Sequence, residues 1–253
     1  MRKGYIIISV AFLLAILSAT VNAHGPGENL DAWQRLGIIN PIKAVEYGAA
    51  IIVASIAVSL MLKKKLKDGH KKILFVIIAA AAIISTLYLA GTTIYLNQKS
   101  WSGGPVHWHA DFEIWACGEQ IDIVDPEGFK NLVGESAVHE HGDNRIHIEG
   151  VMFEKEDATL GEFFEALGGE FTTETLSAPT NHGMMSWAGG KETCNGNYAD
   201  WHTFINGQFV ANEAAPDYVI SPWQTVPPGD TIKFVFSEKP PEQINPNIGV
   251  PPY

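Results

Sequence analysis

Two apolar runs separated by a lysine-rich segment constrain this chain before anything else. Residues 44–62 and 73–96 are 19 and 24 residues long and carry one charge between them, Glu46. About 20 apolar residues cross the hydrocarbon core of a bilayer, so each run is read as a transmembrane helix, with Glu46 as an interfacial residue near the outer end of the first. The ten residues between them (63–72) hold six lysines, which place that loop on the cytoplasmic side. Everything before residue 44 and after residue 96 is then expected outside the cytoplasm, on a multi-pass protein of the cell membrane.

The amino terminus fits the same topology. Arg2 and Lys3 precede an apolar core at residues 6–17, and Val21-Asn22-Ala23 supplies small residues at a cleavage site. Residues 1–23 are read as a signal peptide, with an uncleaved anchor helix as the alternative. Residues 24–43 form a short extracytoplasmic segment.

Only 18% of residues are charged, against about 25% in soluble chains, as expected when part of the chain lies in lipid. Charge is also split. Eleven Lys and Arg stand against four Asp and Glu before residue 100, and six against 24 from there on. An acidic outer body repels phosphates and argues against nucleic acid as a partner. The expected partners are the bilayer and, through the span hairpin, another membrane protein.

Outside the cytoplasm, the only two cysteines, Cys117 and Cys194, are most simply a disulfide. The competing reading is a thiolate ligand in a copper site completed by His182, Met184 or Met185.

After a breaker-rich linker at 97–106, strict alternation begins. Trp108, Ala110, Phe112 and Ile114 share one face of a strand, and His107, His109, Asp111 and Glu113 the other. A turn at Cys117-Gly118 leads to a second strand at 120–124. Residues 145–151 repeat the alternation, with Ile146 and Ile148 inward and Arg145, His147 and Glu149 outward. His139 and His141 precede them in what reads as a loop, where Arg145 could pair with Asp143, Glu140 or Glu149.

Thr159 and Glu162 make a capping box ahead of the apolar stripe Leu160, Phe163, Phe164 and Leu167, and Gly168-Gly169 stops that helix. Residues 203–210 read as a hairpin around an Asn206-Gly207 turn. A turn at 226–230 feeds a strand at 231–236, and the proline-rich tail, 239–253, is expected to be extended. The fold class is therefore α+β: a mainly antiparallel β domain at 107–238, β-grasp-like or a small barrel, with one helix, anchored by a two-helix transmembrane hairpin.

Seven of the nine histidines follow residue 100, and five of them fall in two motifs, His107-Trp-His109 and His139-Glu-His141 through His147. His-x-His on a strand puts both rings on one face, and neutral imidazole is the commonest ligand for transition metals. His107, His109, His139 and His141 are the expected ligands, with His147 and Glu113 as further ligands or as groups that orient the rings. Histidine with few thiols suits copper or zinc. Binding in metal handling or sensing is expected ahead of catalysis. A metal-dependent hydrolase or oxidase, which would use Glu113 or Glu140, is the enzymatic alternative, and a surface interaction module with incidental histidines is the structural one.

Three local resemblances extend the list. His107-x-His109-x3-Glu113 resembles the first metal motif of cupins, though Trp101 and Ile232 stand where that family wants Gly and His. His139-x-His141-x-Asp143 resembles the opening of the metallo-β-lactamase motif, with Asn144 in place of its last His. Cleavage after Ala23 would leave His24 as an amino-terminal chelator similar to the His-brace of copper proteins. More broadly, the strings His107-Trp-His-Ala-Asp-Phe, His139-Glu-His-Gly-Asp-Asn-Arg-Ile-His-Ile-Glu-Gly150 and Leu160-Gly-Glu-Phe-Phe resemble a group of membrane-anchored prokaryotic proteins of unknown function, over most of residues 105–237. That resemblance implies an anchored outer domain and brings no activity with it.

Overall fold

A computed structural model describes residues 32–129, 131–220 and 229–253. The signal peptide, His24 and most of the 226–230 turn lie outside the described residues. The chain divides into two units, residues 1–98 and 99–253.

In the first unit a single helical turn, α1 (Ala32–Arg35), precedes α2 (Pro41–Leu62) and α3 (Asp68–Lys99). Asn40 caps α2 by accepting from the Ile42 N–H at 2.9 Å, and Pro41 sits where its missing N–H costs nothing. At 1.5 Å per residue the 22 residues of α2 and 32 of α3 reach about 33 and 48 Å. Both are long and apolar enough to cross a membrane. Their large side chains, among them Ile51, Leu60, Phe75, Ile84 and Leu87, are exposed, as a lipid-facing helix requires and a soluble core helix does not allow.

The two helices form a hairpin through small residues. Gly48 lies so close to Ser85 that a Cβ there would collide with the serine hydroxyl, and Tyr88 Oη donates to the Ile39 carbonyl at 2.8 Å. Helix α3 overruns the expected span at both ends. Residues 68–72 form its first turn, where Lys71 pairs with Asp68 at 2.9 Å, so the connecting turn shrinks to 63–67.

The second unit begins with a five-residue turn, 100–104, in place of the longer linker. It is bonded down, Trp101 N donating to Phe153 O and Ser102 N to Met152 O. The strands that follow are β1 (Pro105–Ala116), β2 (Glu119–Ile121), β3 (Val133–Gly134), β4 (Val138–Glu140) and β5 (Arg145–Val151). After helix α4 (Leu160–Ala166) come β6 (Glu170–Phe171), β7 (Thr175–Thr180), β8 (Gly183–Ala188), β9 (Thr193–Cys194), β10 (Asn197–Tyr198), β11 (Asp200–Ile205), β12 (Gln208–Val210) and β13 (Asp230–Ser237).

The main sheet runs β12-β11-β13-β1-β5-β4-β3, with β2 also beside β1. Only the β1–β13 pair is parallel. Among the described residues the path has two free ends, so these strands form an open sheet rather than a closed barrel. Its inner face carries Ala110, Phe112, Ile114, Ile146, Ile148, Ile232, Phe234 and Phe236, all buried. Helix α4 and the three-stranded sheet β6-β7-β8 cover that face. Phe163 meets Phe112 and Phe164 meets Phe234 edge to face, at 5.3 and 5.2 Å. Thr159 caps α4 by accepting from the Glu162 N–H, and Asn206 and Gly207 both hold positive φ, 52° and 78°, as a type I′ turn needs.

The outer face is covered only in part. The proline-rich tail lies against β1, β11 and β13, where Ile244 joins Trp115, Phe204 and Val235 in a second buried cluster. Lys233, fully buried, donates to the Asn247 and Val250 carbonyls at 2.8 and 2.6 Å. The tail is thus pinned to the sheet, not free. Cys117 and Cys194 are joined as a disulfide, which removes the thiolate-ligand reading of Cys194.

Candidate metal centre

Register builds the site. Strand β1 pairs antiparallel with β5 so that His107 faces Glu149, His109 faces His147 and Asp111 faces Arg145. Strand β4 pairs with β5 so that His139 also faces His147. His139 therefore belongs to a strand, and three histidines from three adjacent strands stand in one row. The loop expectation failed because a three-residue strand shows no alternation of its own; only its partner reveals it.

The flanks of the row are ionic. His107 Nε2 lies 3.1 Å from Glu149 Oε1. Arg145 Nε donates to Asp111 Oδ1 at 2.6 Å, so its hydrogen-bonded partner is the residue across the strand pair, while Asp143 adds a weaker electrostatic attraction. Glu140 is buried, and its Oε1 accepts from the backbone N–H groups of Asp143 and Asn144, at 2.6 and 3.0 Å. That shapes the turn returning the chain into β5.

His141 lies one residue beyond β4, two positions after His139, and its ring comes back to the row. Its Nε2 is 3.1 Å from His139 Nε2. His139 Nδ1 faces the Glu135 carbonyl at 3.2 Å, and His141 Nδ1 faces the Asn131 carbonyl. A carbonyl oxygen only accepts, so each Nδ1 carries a proton, and in the neutral ring Nε2 is then the bare lone pair. Two lone pairs facing each other at this distance repel unless a proton or a metal ion lies between them. Nitrogens bound at about 2.0–2.1 Å to a tetrahedral ion stand about 3.3 Å apart, close to the spacing found.

His147 completes the arrangement. Its ring centroid is 4.6 Å from those of both His109 and His141, and it stacks on His139 at 5.4 Å. Its Nε2 lies 3.4 Å from Asp143 Oδ2. Its Nδ1, like His109 Nε2, is shielded from solvent with no hydrogen-bond partner among the described residues. A buried polar atom left unpaired costs about 1–3 kcal/mol, and these two lie on adjacent strands of one row. Two triads of ligand atoms are close enough to hold an ion: His107, His109 and His147, and His139, His141 and His147.

Burial depresses the pKa of His109, His139 and His147 below the usual imidazole value, and neighbouring rings push the same way. For His147 the Asp143 carboxylate opposes this without reversing it. The shift favours the neutral ring, the form in which imidazole binds a metal.

Glu113, on the same face of β1, lies outside both triads. Its carboxylate accepts from Trp115 Nε1 at 2.9 Å and from the Gly249 N–H of the tail. The orienting groups that sequence reasoning missed are the Glu135 and Asn131 carbonyls; backbone atoms leave no residue-type signal. No protein-family model, curated protein or solved structure matches this chain.

Proposed function

We propose that residues 99–253 form an extracytoplasmic module that binds copper or zinc, held at the cell membrane by the α2–α3 hairpin, and that it serves metal handling or sensing. The observation that carries this is the pair of facing Nε2 atoms of His139 and His141, 3.1 Å apart, with each Nδ1 facing a backbone carbonyl. Metal-bound histidines characteristically donate their second nitrogen in this way, which fixes tautomer and ring direction. His147 supplies a third nitrogen. An all-imidazole set suits Cu(II) or Zn(II) and disfavours Mg(II) and Ca(II), which take oxygen ligands.

The outward orientation rests on the lysine-rich turn between the helices and on the Cys117–Cys194 disulfide, a feature of oxidising compartments. A metal-dependent hydrolase would need Glu113 or Glu140 as its base. Both carboxylates accept hydrogen bonds from backbone N–H groups and neither belongs to a triad, so binding is the better reading.

The test is metal content. Full-length protein in lipid nanodiscs, exposed to Cu(II) or Zn(II) and dialysed, is expected to retain ion stoichiometrically. The His139→Ala/His141→Ala variant is expected to retain none after the same dialysis. Equal retention by both proteins would refute the assignment.

A further inference from the structure

Resting on the metal-binding reading, we infer that the five histidines form two overlapping ligand sets for one ion, which is taken up by the set that includes the exposed His107 and passed through His147 to the set that includes the buried His139. Three observations lead there. Both triads contain His147, and no other residue is shared. Its ring centroid is equally far, 4.6 Å, from His109 in one set and His141 in the other. The sets differ in burial at one position each, His107 being exposed and His139 buried, while His109 and His141 are both half-buried.

A neutral imidazole has one bare nitrogen. With His147 Nε2 facing Asp143, Nδ1 is the atom left for an ion, so the two sets exclude one another. An ion can keep its bond to His147 while exchanging His107 and His109 for His139 and His141. The exchange replaces imidazole by imidazole, so no electron has to move.

The sets also differ in how firmly they are held. Both inner rings are anchored on backbone carbonyls, whereas His107 is tied to the half-exposed carboxylate of Glu149. Anchored rings lose less freedom on binding, so the inner set retains the ion and the outer set exchanges it with solution or with a carrier.

The test uses the full chain in nanodiscs and Cu(II) as probe. Native mass spectrometry gives stoichiometry, and stopped-flow quenching of tryptophan fluorescence gives the loading rate. Wild type is expected to bind one ion. His107→Gln/His109→Gln is expected to keep one ion but load it several-fold more slowly, and Glu149→Gln, which loosens His107 without removing a ring, is expected to slow loading too. Unchanged loading in the folded double variant, or in Glu149→Gln should the double variant misfold, overturns the transfer route and leaves metal binding intact. Two ions per wild-type chain would likewise overturn the one-ion scheme alone. No ion on the wild type would overturn both readings.

Discussion

His109 and His147 face each other across β1 and β5, ring centroids 4.6 Å apart, and each carries one buried nitrogen with no hydrogen-bond partner among the described residues. His147 is the ring common to both candidate triads. Replacing it with Ala is expected to abolish stoichiometric copper or zinc retention, whereas His107→Ala alone is expected to leave the inner set loaded. Metal analysis after dialysis checks this; retention in His147→Ala equal to wild type would refute the shared role.

Acid is expected to destabilise the metal-free protein. Burial lowers the folded-state pKa of His109, His139, His147 and also of His202 on β11, while the unfolded value stays at about 6.5. The unfolded chain then binds more protons, so stability present above about pH 6.5 is lost as pH falls through the folded-state values below it. Urea midpoints measured between pH 7.5 and 5.5 should decline, and less steeply in His139→Gln/His147→Gln. A midpoint that rises on acidification would contradict this.

Lys233 holds the tail. Its ammonium donates to the Asn247 and Val250 carbonyls at 2.8 and 2.6 Å, and hydrogen bonds to charged groups are each worth about 1.5–3 kcal/mol. Lys233→Met regains apolar burial but leaves both carbonyls unpaired, so a net loss of about 2 kcal/mol is expected. Limited proteolysis should then cut within residues 245–253 faster than in wild type. Equal rates would show that the tail is held by Ile244 and its neighbours instead.

The Cys117–Cys194 bridge spans 77 residues. Closing a loop of that length is worth about 4 kcal/mol in the chain-entropy treatment. Cys117→Ser/Cys194→Ser should lower the urea midpoint of the outer domain clearly while leaving copper retention unchanged, since neither cysteine belongs to a triad. Lost retention in a folded variant would tie the bridge to the centre.

How much could be read in advance depended on how local each signal was. The alternation of Trp108, Ala110, Phe112 and Ile114, the Thr159 cap and the Asn206-Gly207 turn are encoded within a few residues, and each is found as expected. The apolar runs at 44–62 and 73–96 also mark the two long helices, apart from turns added at their ends. Pairing partners are not local. His139 reads as loop until β5 lies beside it, and Arg145 finds Asp111 through a register that no short window contains. Glu113 shares a face with His109, yet its half of β1 lies where the tail covers the sheet, so the chain's own carboxy terminus takes its carboxylate away from the histidines.

The reading of the histidine row as a metal centre is tested most directly by X-ray absorption on the copper- or zinc-loaded full-length protein. The expected spectrum has three imidazole nitrogens at about 2.0–2.1 Å, and that signature should vanish in His139→Ala/His141→Ala. A first shell made of oxygen ligands alone, or the same spectrum from both proteins, would contradict the assignment.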